Sequence, residues 1–404
     1  MTEAPPKLAI DGGTPVRSLP MPIRYAIGPE EKRMIEEVLD YYARIGADFC
    51  YQGHFEERYT QAFSAYMGSG YADVVATGTT SLFVALAALE LPKGSEVLVS
   101  PITDPGSLSA IILNGLKPRL VDSARNAYNI DAEQIEKRIT PSVSAIMVVH
   151  SIGRAADIED IVRLCSEKRI KVLEDCSQSH GARRKGQLVG TFGDIAAFST
   201  MYRKASITGA CGGVVYTRSE ELYHRALAYA DRGKPRWQSG FDDRDPTHFL
   251  FPALNLHTDD LSCGIGIASF GRLPDTIKKR LAFVEAVSEG ISSHSEVCST
   301  LGWLAEDSPF IYPVVVDEGR ITCTKKAFAE AVRAEGIGLN PHYMYVVRDW
   351  PWVQPYLADD FDTPNARDIR DRTFNLYLNE NYTAKEAEDT VSAILKVESH
   401  FKRD

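Results

Sequence analysis

Between residues 70 and 217 the chain alternates short apolar, β-branched runs with stretches of helical periodicity. The runs are Asp73-Val-Val-Ala76, Glu96-Val-Leu-Val-Ser100, Pro118-Arg-Leu-Val121, Ser144-Ala-Ile-Met-Val-Val149, Arg169-Ile-Lys-Val-Leu-Glu174, Asp194-Ile-Ala-Ala-Phe-Ser199 and Gly213-Val-Val-Tyr216. They are nearly continuous apolar stretches, the pattern of strands covered on both faces. Between them, Thr80–Leu91, Ser107–Asn114 and Asp157–Glu167 read as helices. This alternation predicts an α/β fold with a mostly parallel sheet and helices on both faces. Ligands in such sheets sit at the carboxyl ends of strands, so the residues just after each run carry the most information.

The pattern changes after Gly271. A long helical stretch, Leu273–Ser292, leads to one strand signal, Pro309–Val316, and two further helices, Thr324–Glu335 and Thr383–Lys396. The reading is a large domain over 1–272 and a smaller α+β domain over 273–404. Asp231–His248 is polar and aperiodic and reads as a surface loop near the site.

Composition narrows the function. The 404 residues hold 45 Lys+Arg and 55 Asp+Glu, a formal charge of −10. That balance argues against a nucleic-acid binder or docking on an anionic membrane. No apolar run approaches the roughly 18 residues of a membrane span, and the opening MTEAPPKLAIDGGTPVR lacks a signal peptide's basic start and apolar core. A cytoplasmic protein is the expectation. Seven cysteines without a CxxC pair fit a reducing compartment. No metal site is expected, and His150 reads as an ordinary strand-end histidine.

Three strand ends hold the chemistry. The first is Gly78-Thr79-Thr80, opening a Leu/Ala helix, where free amides of a first turn attract an anion. The second is Asp175, topping a buried strand ahead of Gln178 and His180. The third is Lys204, between the strand ending at Ser199 and a glycine-rich turn, Thr208–Gly213. Each alone has an ordinary explanation: a helix cap, a turn cap, a solvated lysine. Together they match pyridoxal phosphate, which needs a phosphate cradle, a carboxylate for the pyridine nitrogen and a lysine for the Schiff base. Neither GxGxxG after a strand nor GxxxxGK[ST] occurs.

With these residues in place, the chain resembles the DegT/StrS-type PLP-dependent sugar aminotransferases of fold type I. The resemblance runs through Gly12-Gly13-Thr14-Pro15-Val16-Arg17, Gly78-Thr79, Tyr128-Asn129-Ile130-Asp131, Glu174-Asp175…Gln178…His180-Gly181, Gly190…Phe192-Gly193-Asp194, Ser199…Lys204 and Asn255. It implies that Lys204 bonds the cofactor and Asp175 holds the pyridinium nitrogen. It places Gln178 beside the ring, and Ser199 with Gly78-Thr79-Thr80 on the phosphate. It implies a homodimer with shared active sites, each borrowing Asn255 from the partner, and transfer of an amino group from glutamate to a keto sugar. The small-domain pair His342-Tyr343 and His257 are expected on the substrate side.

Three departures stand out. Asp104 occupies the position of the family's ring-stacking aromatic residue, and Asn255-Leu256-His257 replaces Asn-aromatic-Arg. Ala210 stands where a Glu is usual. These changes bear on the substrate, which is either a nucleotide-linked keto sugar or a free keto sugar acid such as a keto derivative of 3-deoxy-octulosonate. The setting implied is surface-polysaccharide (lipopolysaccharide) or amino-sugar biosynthesis. Two alternatives remain at this level: a sugar dehydratase of the same fold, whose relatives carry histidine where Lys204 stands, and a catalytically silent regulatory protein.

Overall fold

The structure is a computed structural model and describes residues 6–403. The chain enters through two helices, α1 (Pro29–Ile45) and α2 (His54–Tyr66), that were not among the sequence expectations. α1 begins at a proline, with the Glu31 carboxylate accepting from Gly28 N at 2.7 Å, and ends at Gly46 in the left-handed region (φ 68°).

All seven apolar runs are strands: β1 (Tyr71–Val75), β2 (Glu96–Val99), β3 (Lys117–Leu120), β4 (Val143–Val149), β5 (Lys171–Asp175), β6 (Ile195–Ser199) and β7 (Gly213–Thr217). They form one sheet in the order β1-β7-β6-β5-β4-β2-β3. Only β7 runs against its neighbours. Strand alternation divides the side chains between two apolar layers. Val75, Ile195, Ala197 and Val215 pack with α3 (Gly78–Ala88) and α4 (Pro105–Leu113). Val74, Ala196, Phe198 and Val214 pack with α1, α2 and the helix Asp260–Gly271. Each fully buried Val, Leu or Ile contributes about 1.5–3 kcal/mol. Continuous apolar runs are therefore the signature of a sheet with no wet face.

A second, antiparallel sheet follows, with order β8-β9-β11-β10: β8 (Cys298–Thr300), β9 (Tyr312–Val316), β10 (Leu339–Asn340) and β11 (Thr373–Leu376). Helices Leu273–His294, Lys325–Ala334 and Ala384–Phe401 cover it around a separate apolar core. Leu8, far away in sequence, is fully buried in that core. Glu335 accepts from Ala9 N and Val16 N, and Arg17 pairs with Glu386 and Asp389. The N-terminal segment thus packs with the residues after 273. The strand expected from Pro309 starts only at Tyr312, because Ser308 and Phe310 bond instead to the backbone of Gly153 and Ile152 at the large sheet's edge. No described helix is long and apolar enough to cross a membrane.

Candidate active site

Because six of the seven strands share a direction, their carboxyl ends meet along one edge. At β1, Thr77 caps α3: its hydroxyl accepts from Thr80 N at 3.0 Å, and Thr80 Oγ1 accepts from Thr77 N at 2.8 Å. Ser81 N returns to Thr77 O, which leaves Gly78 N and Thr79 N with no acceptor among the described residues. Two free amides at a helix start form an anion site. A Cβ on Gly78 would lie 2.4 Å from the Ser199 Cβ. Only glycine lets the end of β6 approach this turn and bring the Ser199 hydroxyl beside it. Gly106 does the same for α4, since a Cβ there would meet Thr79 Oγ1 at 2.4 Å. Thr80 is spent on the cap, so of the expected cradle Gly78, Thr79 and Ser199 are the available parts.

Asp175 ends β5, almost fully buried. Its carboxylate accepts from Ser177 N at 3.0 Å and faces the Ser107 hydroxyl at 3.4 Å. Burial pushes its pKa up, against the Ser177 hydrogen bonds and the Lys204 charge. Lys204 sits on a loop pinched at its base by Thr200 N to Gly212 O (2.8 Å), Thr208 N to Thr200 O (2.9 Å) and a Thr200–Thr208 hydroxyl contact (2.7 Å). Its Nζ lies 4.4 Å from the Phe310 ring centroid. Burial lowers its pKa to about 8, while Asp175 and Asp104 pull it back up. An amine and a carboxylate that perturb one another at one sheet edge make this the candidate site.

Gln178 accepts from Ile152 N at 2.8 Å. Ile152 is held at φ 61°, a left-handed conformation that a β-branched residue adopts only when its surroundings impose it. Tyr343 lies beside Gln178 and within reach of the Asp104 charge; burial raises its pKa. The segment after β10 therefore reaches the site through Tyr343, not His342. His342 Nδ1 contacts Lys325 Nζ at 3.3 Å, and burial, with Lys325 and Arg370 nearby, lowers its pKa. Asp104 is solvent-exposed and caps α4, accepting from Gly106 N at 2.9 Å.

Asn255 and His257 lie on the outer side of β1, where Ala76 N donates to Leu256 O at 2.8 Å. Asn255 is exposed, its Oδ1 meeting only His257 N at 3.4 Å. His257 turns inward, 3.3 Å from Asp231 and stacked on Tyr51. The buried Asp231 carboxylate lies against it there. Burial alone would raise the Asp231 pKa, but His257, Arg232 and Arg236 hold it well below the carboxylate range.

Three contributors escaped the sequence reading. Ser107 and Phe310 approach Asp175 and Lys204 from other elements, with no local motif to announce them. His180, noted only within a motif, is buried, with its pKa lowered to about 3 by burial and by Lys204. Its Nε2 has no partner. A buried neutral imidazole with an unmatched nitrogen beside an amine is expensive unless a bound group completes it.

Free amides beside Ser199, a buried carboxylate, a half-buried amine and the orphaned His180 Nε2 form a set of groups that fits pyridoxal phosphate. By contrast, His150, Glu174 and Cys176 come close enough to suggest a metal site, but Glu174 and His150 are engaged otherwise. Glu174 accepts from Gly190, Phe192 and Gly193 N at 2.7–2.8 Å and from His150 Nε2 at 3.0 Å. His150 Nδ1 accepts from Ala156 N, which fixes the Nε2–H tautomer.

Comparison with known proteins agrees with this geometry. GDP-perosamine synthase of Escherichia coli O157:H7 is 31% identical over 268 residues, 66% of this chain and 70% of that protein. A protein of Streptoalloteichus tenebrarius, provisionally named L-glutamine:3-amino-2,3-dideoxy-scyllo-inosose aminotransferase, is 34% identical over 384 residues, 89% of each chain. Among solved structures, E. coli GDP-4-keto-6-deoxy-D-mannose-3-dehydratase with bound hydrated PLP matches with a TM-score of 0.83 over 93% of this chain and 98% of that one, at 24% identity. The fold is that of the fold type I PLP enzymes. Residues 27–395 match a single family, and the chain belongs to it: the DegT/DnrJ/EryC1/StrS aminotransferases.

Proposed function

We propose that this protein moves an amino group from glutamate to a keto sugar in surface-polysaccharide or amino-sugar biosynthesis. The observation that carries the reading is the placement of Lys204, Asp175 and the free amides of Gly78 and Thr79 on one edge of the sheet. The enzyme is a PLP-dependent aminotransferase. Bound here, pyridoxal phosphate supplies a carbonyl carbon for the amine and a ring that accepts electrons. The Gly78 and Thr79 amides and the Ser199 hydroxyl hold the phosphate. Asp175 keeps a proton on the ring nitrogen, in a site dry enough to make that charge pair strong. Lys204 Nζ, with a pKa near 8, has a neutral fraction at physiological pH and takes and returns the proton at the substrate carbon. Gln178, held by Ile152 N, and Tyr343 beside it line the site.

The acceptor we favour is a free keto sugar acid. Arg232, Arg236 and Lys234, on the segment that runs beside Asn255, all pair with Asp231, and Arg236 and Lys234 also with Asp243. These three are not free to meet a nucleotide's diphosphate. We further propose a cytoplasmic homodimer whose sites each use Asn255 of the partner subunit. Support comes from the exposure of Asn255 and of the apolar Leu250 and Leu254 around it.

The test is a half-reaction. Purified with the cofactor, the protein should absorb in the visible, lose that band on adding glutamate and release 2-oxoglutarate. A keto sugar acid should then restore it. Release of 2-oxoglutarate followed by restoration only with nucleotide-linked sugars would replace the acceptor. No change with glutamate would overturn the reading.

A further inference from the structure

The loop that carries Lys204 is held from outside by a segment the mechanism does not use. Residues 22–24 cross this loop between it and the turn after β11. Asn379 Nδ2 donates to Pro22 O and Asn381 Nδ2 to Ile23 O, each at 2.9 Å. Thus pinned, the chain presents Arg24. Its Nη1 donates to Tyr202 O at 3.0 Å and its Nη2 to Ala205 O at 3.3 Å. Its Nε donates to Glu380 Oε1 at 2.8 Å. The other oxygen of Glu380 takes Arg280 Nη2 at 2.9 Å, and Arg280, 2% exposed, reaches Pro309 O beside Phe310. One planar guanidinium therefore fixes the carbonyls on both sides of Lys204, and its own orientation is fixed by a carboxylate that a buried arginine holds.

We infer that Arg24 is a positioning residue for Lys204, clamping the lysine loop to the turn 379–381 so that Nζ is held where it reacts. Three divergent donors in one plane suit arginine and not lysine, whose ammonium is a point charge on a flexible stem. Lysine itself has four rotatable bonds, and a displacement of about 1 Å costs on the order of 100-fold in rate. Lys204 N bonds to Met201 O (2.9 Å), and the loop's other holds, Tyr202 N to Ala210 O (3.3 Å) and Ile207 N to Ser269 Oγ (3.0 Å), leave the carbonyls of Tyr202 and Ala205 to Arg24. The inference rests on the proposed role of Lys204 as the amine that bonds the cofactor.

The experiment compares the native protein with Arg24→Ala, Arg24→Lys and Glu380→Gln. Two measurements need no sugar: trypsin cleavage after the exposed Arg203, identified by fragment mass, and the rate at which added cofactor becomes borohydride-trapped on Lys204. In Arg24→Ala, cleavage should rise at least about fivefold, because local opening sets the rate. Trapping and kcat should fall about 10- to 100-fold, with the donor KM within about threefold. Arg24→Lys should recover less than half of each loss. Glu380→Gln, which keeps the shape but weakens the orienting charge, should shift cleavage and trapping the same way by a smaller factor. Native rates of both in Arg24→Ala, or full recovery in Arg24→Lys, overturn the clamp. If Arg24→Ala does not fold, Glu380→Gln decides, and native cleavage and trapping in it overturn the inference. A native protein that traps cofactor on Lys204 yet aminates no sugar removes the substrate reading and leaves the clamp standing.

Discussion

Glu174 and Asp175 are adjacent carboxylates at the end of β5, and strand alternation sends them to opposite faces. Glu174 enters a knot in which every lone pair is used: Oε1 takes Phe192 and Gly193 N, and Oε2 takes Gly190 N and His150 Nε2. Asp175 has one firm acceptor bond, from Ser177 N, and otherwise faces Ser107 and the Lys204 charge. Both are buried and acidic, one residue apart. A saturated carboxylate stabilises the fold and has nothing left for a ligand, whereas an under-bonded one is costly to the empty protein and available to a ring nitrogen. Substitutions on the two faces should therefore separate activity from stability.

The largest effect is expected at Lys204. Lys204→Met should bring turnover to background, since a thioether has no amine to bond a carbonyl carbon or carry the proton. The same change should stabilise the cofactor-free protein. Burial lowers the lysine pKa from 10.5 to about 8, so the folded chain binds fewer protons than the unfolded one between those values. The cost of the buried ammonium is full below about pH 8 and vanishes towards pH 10.5. Denaturant unfolding of the apoprotein should show a gain on the order of 3 kcal/mol at pH 7 that fades over this window. A gain of equal size at both ends would mean packing, not charge.

Asp175→Asn comes next. Turnover should drop about 100- to 1000-fold, the scale of losing one preorganised electrostatic partner. Stability at neutral pH should hold. With its pKa raised by burial, the carboxyl stabilises the fold below its unfolded pKa and loses that contribution as pH rises through the folded value. Native turnover in this variant would reduce Asp175 to a turn cap and break the contrast with Glu174.

Glu174→Gln should do the reverse, costing about 2–4 kcal/mol in unfolding free energy. Whichever way the amide flips, its NH2 faces donors on that side, two amides or an amide and an imidazole. Urea unfolding measures the loss, while kcat per folded molecule should stay within about threefold. A stable variant with lost activity would place Glu174 in the chemistry.

The smallest effect sharpens the contrast at the second sheet. Tyr343→Phe should raise the acceptor KM about 3- to 10-fold, the worth of one hydrogen bond near the substrate. His342→Ala should leave it within about twofold, because that ring contacts Lys325. Steady-state kinetics that invert this order would return His342 to the substrate.

Much of the large sheet was legible because each strand is covered on both faces and must be apolar throughout. Lys204, Asp175 and the α3 start were legible for a related reason: charge or free amide directly after such a run has few local explanations. α1 carries equally plain local signals, a proline start, a capping glutamate and a glycine stop, but the face it buries is set by Asp260–Gly271, far along the chain. The motif Gly190…Phe192-Gly193 was visible but its purpose was not, since its amides serve a carboxylate on another strand.

The sequence by itself determined the seven strands of the large sheet, their cover on both faces and the residue types at three strand ends, because these follow from local periodicity and local chemistry. Tertiary structure alone decided which neighbour of a pair faces the site, that Tyr343 and not His342 reaches Gln178, that His257 is drawn to Asp231, and that Arg24 crosses the chain to hold the lysine loop. Each of these depends on groups far apart along the chain competing for the same hydrogen bonds. The outcome is set by which partners the fold brings within about 3 Å, a distance that no spacing in the sequence encodes.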